Sequence, residues 1–341
     1  MQMIAAQMES IGHMKVKELP LPALNPGEAL IKVKYCGVCG TDLHVFKGEH
    51  ATAKYPLVAG HEFVGELVEL NGVSLNCKVG DQVVAHPLFS CRSCEACAQG
   101  NDNVCKDLQF LGAHTDGGFA QYVKVPIYKI YPINGIDPKL AALTEPLAVA
   151  VHDVRRSGLK VSQTALVIGG GPIGLLIALV ARLAGARTIV IAEISEYRRN
   201  MAADMGFTVL DPLADDYGDK LYELTDGLGF DVVYEVSGSA AGAIAMSEYA
   251  KSRAAVVVVG MAAKPHPVNL AQVFMKELDM YGVRSHTQYD FIGAIDTLKS
   301  GALDKELKKL VSHTYPLEDI GEAFDMMFAG DQFFKVLIQC N

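Results

Sequence analysis

The sequence predicts an α/β chain in two parts, one β-rich and irregular, the other a doubly wound parallel sheet. Three observations carry this reading. The chain has 341 residues, more than one hydrophobic core usually organises. Up to about residue 148, short runs of alternating apolar and polar residues are separated by turn dipeptides. Beyond that point, near-continuous apolar strands alternate with helical segments, the pattern of a parallel sheet covered on both faces.

The first part opens its clearest strand at 29–35, after the turn signal Pro26-Gly27. Residues 65–70 form a second half-buried strand, ended by Asn71-Gly72, and 82–85 and 120–125 continue the pattern. A helix is predicted over 140–154. The alternation then runs strand 165–168, helix 173–184, strand 188–192, helix 195–205, strand 231–236, helix 240–250 and strand 254–259. From about residue 283 the pattern is mixed, with helices near 291–299 and 320–328 and a closing strand at 334–339.

Composition excludes several classes. Half the residues are hydrophobic and a fifth are charged, which is globular rather than disordered. The formal net charge is −9, from 30 basic and 39 acidic residues, and such a surface repels phosphate backbones. No nucleic-acid partner is expected. Met1 to Ser10 has no basic start followed by an apolar run, so no signal peptide is read. The most apolar segment, 165–180, is broken by four glycines and a proline, so no membrane span is expected. A cytoplasmic chain follows, and its eight cysteines are expected as thiolates or metal ligands rather than disulfides.

Gly169-Gly170-Gly171-Pro172-Ile173-Gly174 fits G-x-G-x-x-G. It follows a predicted strand and opens a predicted helix, the context in which glycines cradle a dinucleotide. Gly169 permits the tight turn, Gly171 admits the pyrophosphate, and Gly174 lets helix and strand pack closely. The helix N-terminus then offers free N–H groups to the phosphates. Glu193 lies 19 residues after Gly174, where a carboxylate accepts from a ribose diol and repels a 2′-phosphate. The cofactor read from this is NAD. Arg198 and Arg199 stand close enough in sequence to temper that preference, and Arg198 and Ser237 complete the cofactor-binding candidates.

Cys91, Cys94, Cys97 and Cys105 place four thiols in one fifteen-residue loop. One loop can wrap a tetrahedral ion with four thiolates, and a closed site of that kind is structural. Cys77 and Cys340 read as core thiols. Cys36-Gly-Val-Cys39 matches a redox spacing, but Cys36 falls at a strand end and Cys39 has a better use. Cys39-Gly40-Thr41-Asp42-Leu43-His44, Gly60-His61-Glu62 and Glu145-Pro146 form a second, dispersed set. Spacing alone leaves two readings open: a shared metal, or separate polar residues and a helix start.

The order of these motifs, ending in Thr-Glu-Pro-Leu-Ala-Val-Ala and the glycine fingerprint, resembles the zinc-dependent medium-chain dehydrogenases over essentially the whole chain. The segment around Glu145 resembles the polyol branch, of sorbitol and butanediol dehydrogenases. The segment 111–119, with His114, resembles bacterial sugar-acid members of galactonate type. The resemblance implies a GroES-like catalytic domain, 1–148 completed by 283–341, and a Rossmann domain, 149–282. It also implies homodimers or homotetramers formed through the Rossmann sheets.

Carried over residue by residue, Cys39 and His61 become catalytic zinc ligands, with Glu62 or Glu145 completing the set. Asp42 matches a carboxylate that orients the ligand histidine. Two zinc ions per chain follow, one catalytic and one structural. Three protein ligands leave zinc a position for the substrate oxygen, whose pKa it lowers. Thr41 is expected to touch that oxygen and pass its proton to His44, and hydride passes to the nicotinamide. Thr41 read singly also fits a helix cap, and His44 a surface residue.

The expected reaction is oxidation of a secondary alcohol on a polyol or vicinal diol. The alternative is an aldonate. Phe46, His50, His114 and Arg284 are the pocket-lining candidates. A non-catalytic NAD- and zinc-binding protein, or a zinc-free quinone reductase, is opposed by the presence of every ligand and relay residue.

Overall fold

The computed structural model describes residues 1–262, 264–330 and 332–341. The chain divides into two compact units, Met1–Glu145 with Thr287–Asn341, and Pro146–His286.

The first unit begins with β1 (Gln2–Ser10), β2 (His13–Pro20), β3 (Glu28–Val38), β4 (Leu57–Val58) and β5 (Glu62–Asn71). It continues with β6 (Gln82–Ala85), β7 (Leu88–Phe89), β8 (Gln109–Phe110), β9 (Tyr122–Pro126) and β10 (Ile130–Pro132). The β1–β2 hairpin is absent from the sequence reading. Its Ala, Glu and Lys residues rank low as strand formers, and long-range pairing overrides that preference. Ala5, Ala6 and Met8 are buried, and the Ala6 N–H donates to the Phe119 carbonyl. The expected single helix over 140–154 is two helices, Pro138–Ala141 and Thr144–Ser157.

The second unit carries β11 (Thr164–Ile168), β12 (Thr188–Ala192), β13 (Thr208–Leu210), β14 (Phe230–Glu235), β15 (Ala250–Val258) and β16 (Asp279–Gly282). All pair in parallel, in the order β13-β12-β11-β14-β15-β16. That is a doubly wound sheet whose strand order reverses between β11 and β14. β11 is buried at every position, as a strand with helices on both faces must be.

The chain then returns to the first unit with β17 (Val311–Pro316) and β18 (Lys335–Gln339). β3 is the central strand there. It pairs antiparallel with β5, Gly37 opposite Glu62, and with β18, Val38 opposite Val336. Three segments remote in sequence thus meet around the end of β3. The core beneath them includes Ile31, Val33, Phe63, Leu67, Phe119, Phe324 and Ile338. No described helix is long and apolar enough to cross a membrane.

Candidate active site

β3 delivers Cys39 to the N-cap of the helix Gly40–Lys47, and β5 starts immediately after His61. One carboxylate ties the two ends together. Asp42 Oδ2 accepts from the Cys39 N–H at 2.8 Å, and Oδ1 accepts from the Gly60 N–H at 3.1 Å. Oδ1 also lies 3.5 Å from His61 Nδ1. Gly60 takes φ of 94°, and a Cβ there would meet the Cys36 sulfur at 2.7 Å, so the tight approach requires glycine.

The result is a cluster in which a sulfur of Cys39, a ring nitrogen of His61 and a carboxylate oxygen of Glu62 all lie within 4.8 Å of one another. Thiolate, imidazole and carboxylate are the donors a catalytic zinc takes, and a carboxylate facing the imidazole, as Asp42 faces His61, is the usual companion of a ligand histidine. The residues therefore fit the metal that the motif suggests. Burial disfavours the charged imidazole, but Asp42 and Cys39 outweigh it and hold the His61 pKa well above its ordinary value. Glu145 is buried but stands outside the 4.8 Å cluster, and its charge acts on Glu62.

The four cysteines of the loop converge as well. Cys94 Sγ lies 3.5 Å from Cys97 and 3.9 Å from Cys105, and Cys91 lies 4.0 Å from Cys97. A zinc tetrahedron with sulfur at about 2.3 Å has edges of about 3.8 Å, so the cage has the right size. The Cys91 N–H donates to Cys105 Sγ at 3.3 Å. The Ser93 hydroxyl and backbone donors pull the Cys91 thiol down to about 6, while burial and neighbouring sulfurs push Cys97 up to about 11.

In the second unit the glycine fingerprint links β11 to the helix Pro172–Leu183, with Gly171 as N-cap and Pro172 in its first turn. A Cβ on Gly174 would fall 1.9 Å from the Gly169 carbonyl oxygen, and Gly169 itself has φ of 107°. Around Gly171 the nearest atom to an added Cβ is an Arg198 nitrogen at 3.7 Å, so the backbone there is open to a ligand. Glu193, just after β12, accepts from the Gly170 N–H at 2.7 Å and the Ser195 N–H at 2.8 Å. Ser237, just after β14, donates to Glu235 and lies 2.8 Å from the Ser239 hydroxyl. The three candidates thus sit at the carboxyl ends of β11, β12 and β14, around the reversal of strand order. Arg198 Nε is buried without a hydrogen-bond partner among the described residues.

Residues 25–135 match the alcohol dehydrogenase GroES-like domain family, and residues 172–300 the zinc-binding dehydrogenase family. Similarity continues over the whole chain. A 2-dehydro-3-deoxy-L-galactonate 5-dehydrogenase from Pseudoalteromonas atlantica is 37% identical, covering 99% of each chain. The chain belongs to the zinc-binding dehydrogenases. A sorbitol dehydrogenase from Halalkalibacterium halodurans is 33% identical, with 99% of each chain covered. A protein from Sinorhizobium meliloti, described as a zinc-binding dehydrogenase and bound to NADP, superposes with a TM-score of 0.92 at 31% identity, over 99% of each chain.

In this zinc-binding dehydrogenase the Cys39 sulfur lies 3.8 Å from Thr41 Oγ1, so the hydroxyl borders the candidate metal position. Thr41 is not the helix cap; Cys39 occupies that position and Asp42 bonds its N–H. His44 is three residues along the same helix face. Its Nδ1 meets Glu49 Oε2 at 2.6 Å, and the pair is open to solvent.

Phe46 is half-buried and packs on Phe324 and Phe328 at ring distances of 5.6 and 5.7 Å, beside the hydrophobic core. His114 Nε2 lies 2.7 Å from the Thr52 hydroxyl, and its ring lies edge-on to His50. The Phe110 N–H donates to His114 Nδ1 at 3.0 Å, and the Phe110 ring packs against His61 at 4.5 Å. Arg284 belongs to the second unit.

Sequence reasoning missed Lys335. Its Nζ lies 2.7 Å from both oxygens of Glu62, with both residues buried. Burial alone would lower the Lys335 pKa, but Glu62 outweighs it and keeps the ammonium charged. The signal was a lone lysine opening the apolar strand β18, where a buried charge is tolerated only with a partner.

Proposed function

We propose that the chain oxidises a secondary alcohol on a small polyhydroxylated molecule, with zinc held by Cys39, His61 and a carboxylate, and with NAD as acceptor. The convergence of Cys39, His61 and Glu62 within 4.8 Å carries the reading. When bound, zinc supplies a Lewis acid that polarises the substrate hydroxyl, and NAD takes the hydride. Thr41 Oγ1, beside the Cys39 sulfur, receives the proton of that hydroxyl. His44 takes it onward, and Glu49 stabilises the imidazolium before release to solvent. Asp42 holds the ligand histidine and the backbones of both ligand segments in place. A second zinc in the four-cysteine loop is structural.

The preference for NAD rests on Glu193. Its carboxylate is anchored by two N–H groups at the end of β12, where a cofactor ribose would bind, and it repels a 2′-phosphate. Arg198, with its unpartnered Nε, supports a residual use of NADP. A kcat/KM ratio favouring NADP would overturn this choice.

A sugar acid is the second reading, favoured by the His50–Thr52–His114 cluster next to Phe110 and by the galactonate-type relative. NADH formation across polyols, vicinal diols and aldonates, with a chelator control, separates the two. Chelator-sensitive turnover on neutral polyols supports the first reading, and turnover on aldonates alone supports the second. No turnover on any of them defeats both.

We also infer a homodimer. Among the described residues nothing pairs the outer edge of β16, and Leu270, Phe274, Met275 and Met280 just before and within it are exposed. An open edge beside an apolar patch suits a second copy related by a two-fold axis. Light scattering should give a dimer or a multiple of it, and Phe274→Glu should shift it toward monomer. A monomeric wild type contradicts the inference.

A further inference from the structure

We propose that the chain binds a small oxyanion, a phosphate or a carboxylate, in an open cavity between the four-cysteine loop and the start of the helix Gln288–Ser300. The cavity measures about 490 Å³, the size of a small-molecule site, and is lined in part by Arg92, Asp102, Lys129, Thr287 and Gln288. All of these residues belong to the first unit. None of them serves the metal, relay or cofactor sites described above.

Two cations meet beside this cavity. Arg92 Cζ stands 3.8 Å and Lys129 Nζ 5.6 Å from the centre of the Tyr128 ring, so one aromatic gathers both. Lys129, between β9 and β10, is only 3% exposed, and water compensates little of its charge. Its ammonium donates to His86 Nδ1 at 2.8 Å and forms no ion pair among the described residues. Burial lowers its pKa to about 8, Asp102 partly restores it from a distance, and the Arg92 charge lowers it again. Lys129 is therefore still a cation at neutral pH, facing a second cation across a cavity that both line. An anion there would supply the missing counter-ion.

The third wall has the same sign. Gln288 is the first residue of a 13-residue helix, so its N–H has no acceptor within the helix, and the positive end of the helix dipole borders the cavity. The acid of that first turn, Asp290, is engaged by the Thr287 N–H at 3.0 Å and the Thr287 hydroxyl at 2.6 Å. Asp102 is the carboxylate that works against an anion, and it gives the test its sign. A bound oxyanion would tie the cysteine loop, through Arg92, to Lys129 and the start of this helix.

The test titrates inorganic phosphate and malonate by calorimetry into the zinc-loaded full chain, with NAD saturating so that the probe is kept off the glycine turn. One of the two should bind at one site per chain with a Kd of about 1 mM or tighter. R92Q and K129M should each weaken it about tenfold, and D102N should tighten it about threefold. General damage to the fold could imitate the first two effects but not the third. Should K129M fail to fold, R92Q and D102N decide. Amide exchange should slow in 90–104 and 287–290 when the probe binds. Tighter phosphate points to a phosphorylated ligand, and tighter malonate to a carboxylate. Binding of neither overturns the proposal, as does equal affinity in wild type and R92Q, D102N binding no tighter than wild type, or protection confined to other segments.

Discussion

Asp42 satisfies two backbone donors and faces the ligand imidazole, so three demands meet on one buried carboxylate. Asp42→Asn keeps the shape but removes the charge that orients His61. Zinc affinity at the Cys39–His61 site should fall about 10–100-fold, measured by competition with a chromogenic chelator, while the four-cysteine zinc is retained. An unchanged affinity would remove Asp42 from the account. Lys129 offers a pH test at the same scale. It is buried against His86, with 2.8 Å between Nζ and Nδ1, and burial lowers its pKa from 10.5 to about 8. Between those values the unfolded chain binds a proton that the folded chain does not, so stability rises with pH through that window. The Tm difference between wild type and Lys129→Met should therefore shift in favour of wild type from pH 8 to 10.5. A flat difference contradicts the shift.

At the scale of elements, the crossing of β5, β3 and β18 is what places the site, and Gly37 is its weakest point. Gly37→Ala forces a methyl against the Glu62 carboxylate and should destabilise the fold by about 1–3 kcal/mol in a denaturant titration, with metal affinity falling in parallel. Normal stability and metal binding would show that the Glu62–Lys335 bridge can move aside. The elements also explain what was legible in the sequence. The four-cysteine loop and the glycine fingerprint were readable because their chemistry is local: the ligands share one loop, and the glycines share one turn. The Glu62–Lys335 pair was not, since 273 residues separate its members. The Phe324 and Phe328 rings that pack on Phe46 come from the end of the chain, so that contact too left no trace in the sequence around Phe46. The β1–β2 hairpin escaped because its pairing, not its composition, makes it a strand pair.

For the molecule as a whole, the two units separate the two kinds of ligand. The candidate metal ligands lie in Met1–Glu145 and the glycine fingerprint in Pro146–His286. A ligand stabilises what it binds, by about 2.7 kcal/mol at a hundredfold excess over Kd. NAD should slow amide exchange chiefly in β11, β12 and the helix Pro172–Leu183, and zinc chiefly around Cys39, His61 and the cysteine loop. Protection by NAD confined to the first unit would contradict the assignment of Gly169, Gly171 and Gly174. The division into a β-rich region and a parallel sheet was readable from hydrophobic period alone. The return of the chain to the first unit was implied only by resemblance, because strand pairing across most of the chain leaves no local trace.

The most direct test of the central claim is to measure zinc content and NADH formation side by side in wild type and Cys39→Ser. The account expects two zinc ions per chain and chelator-sensitive turnover in wild type. The variant should keep one zinc, in the four-cysteine loop, and lose turnover by about a thousandfold or more. A variant that retains both ions and its turnover would show that the chemistry takes place elsewhere.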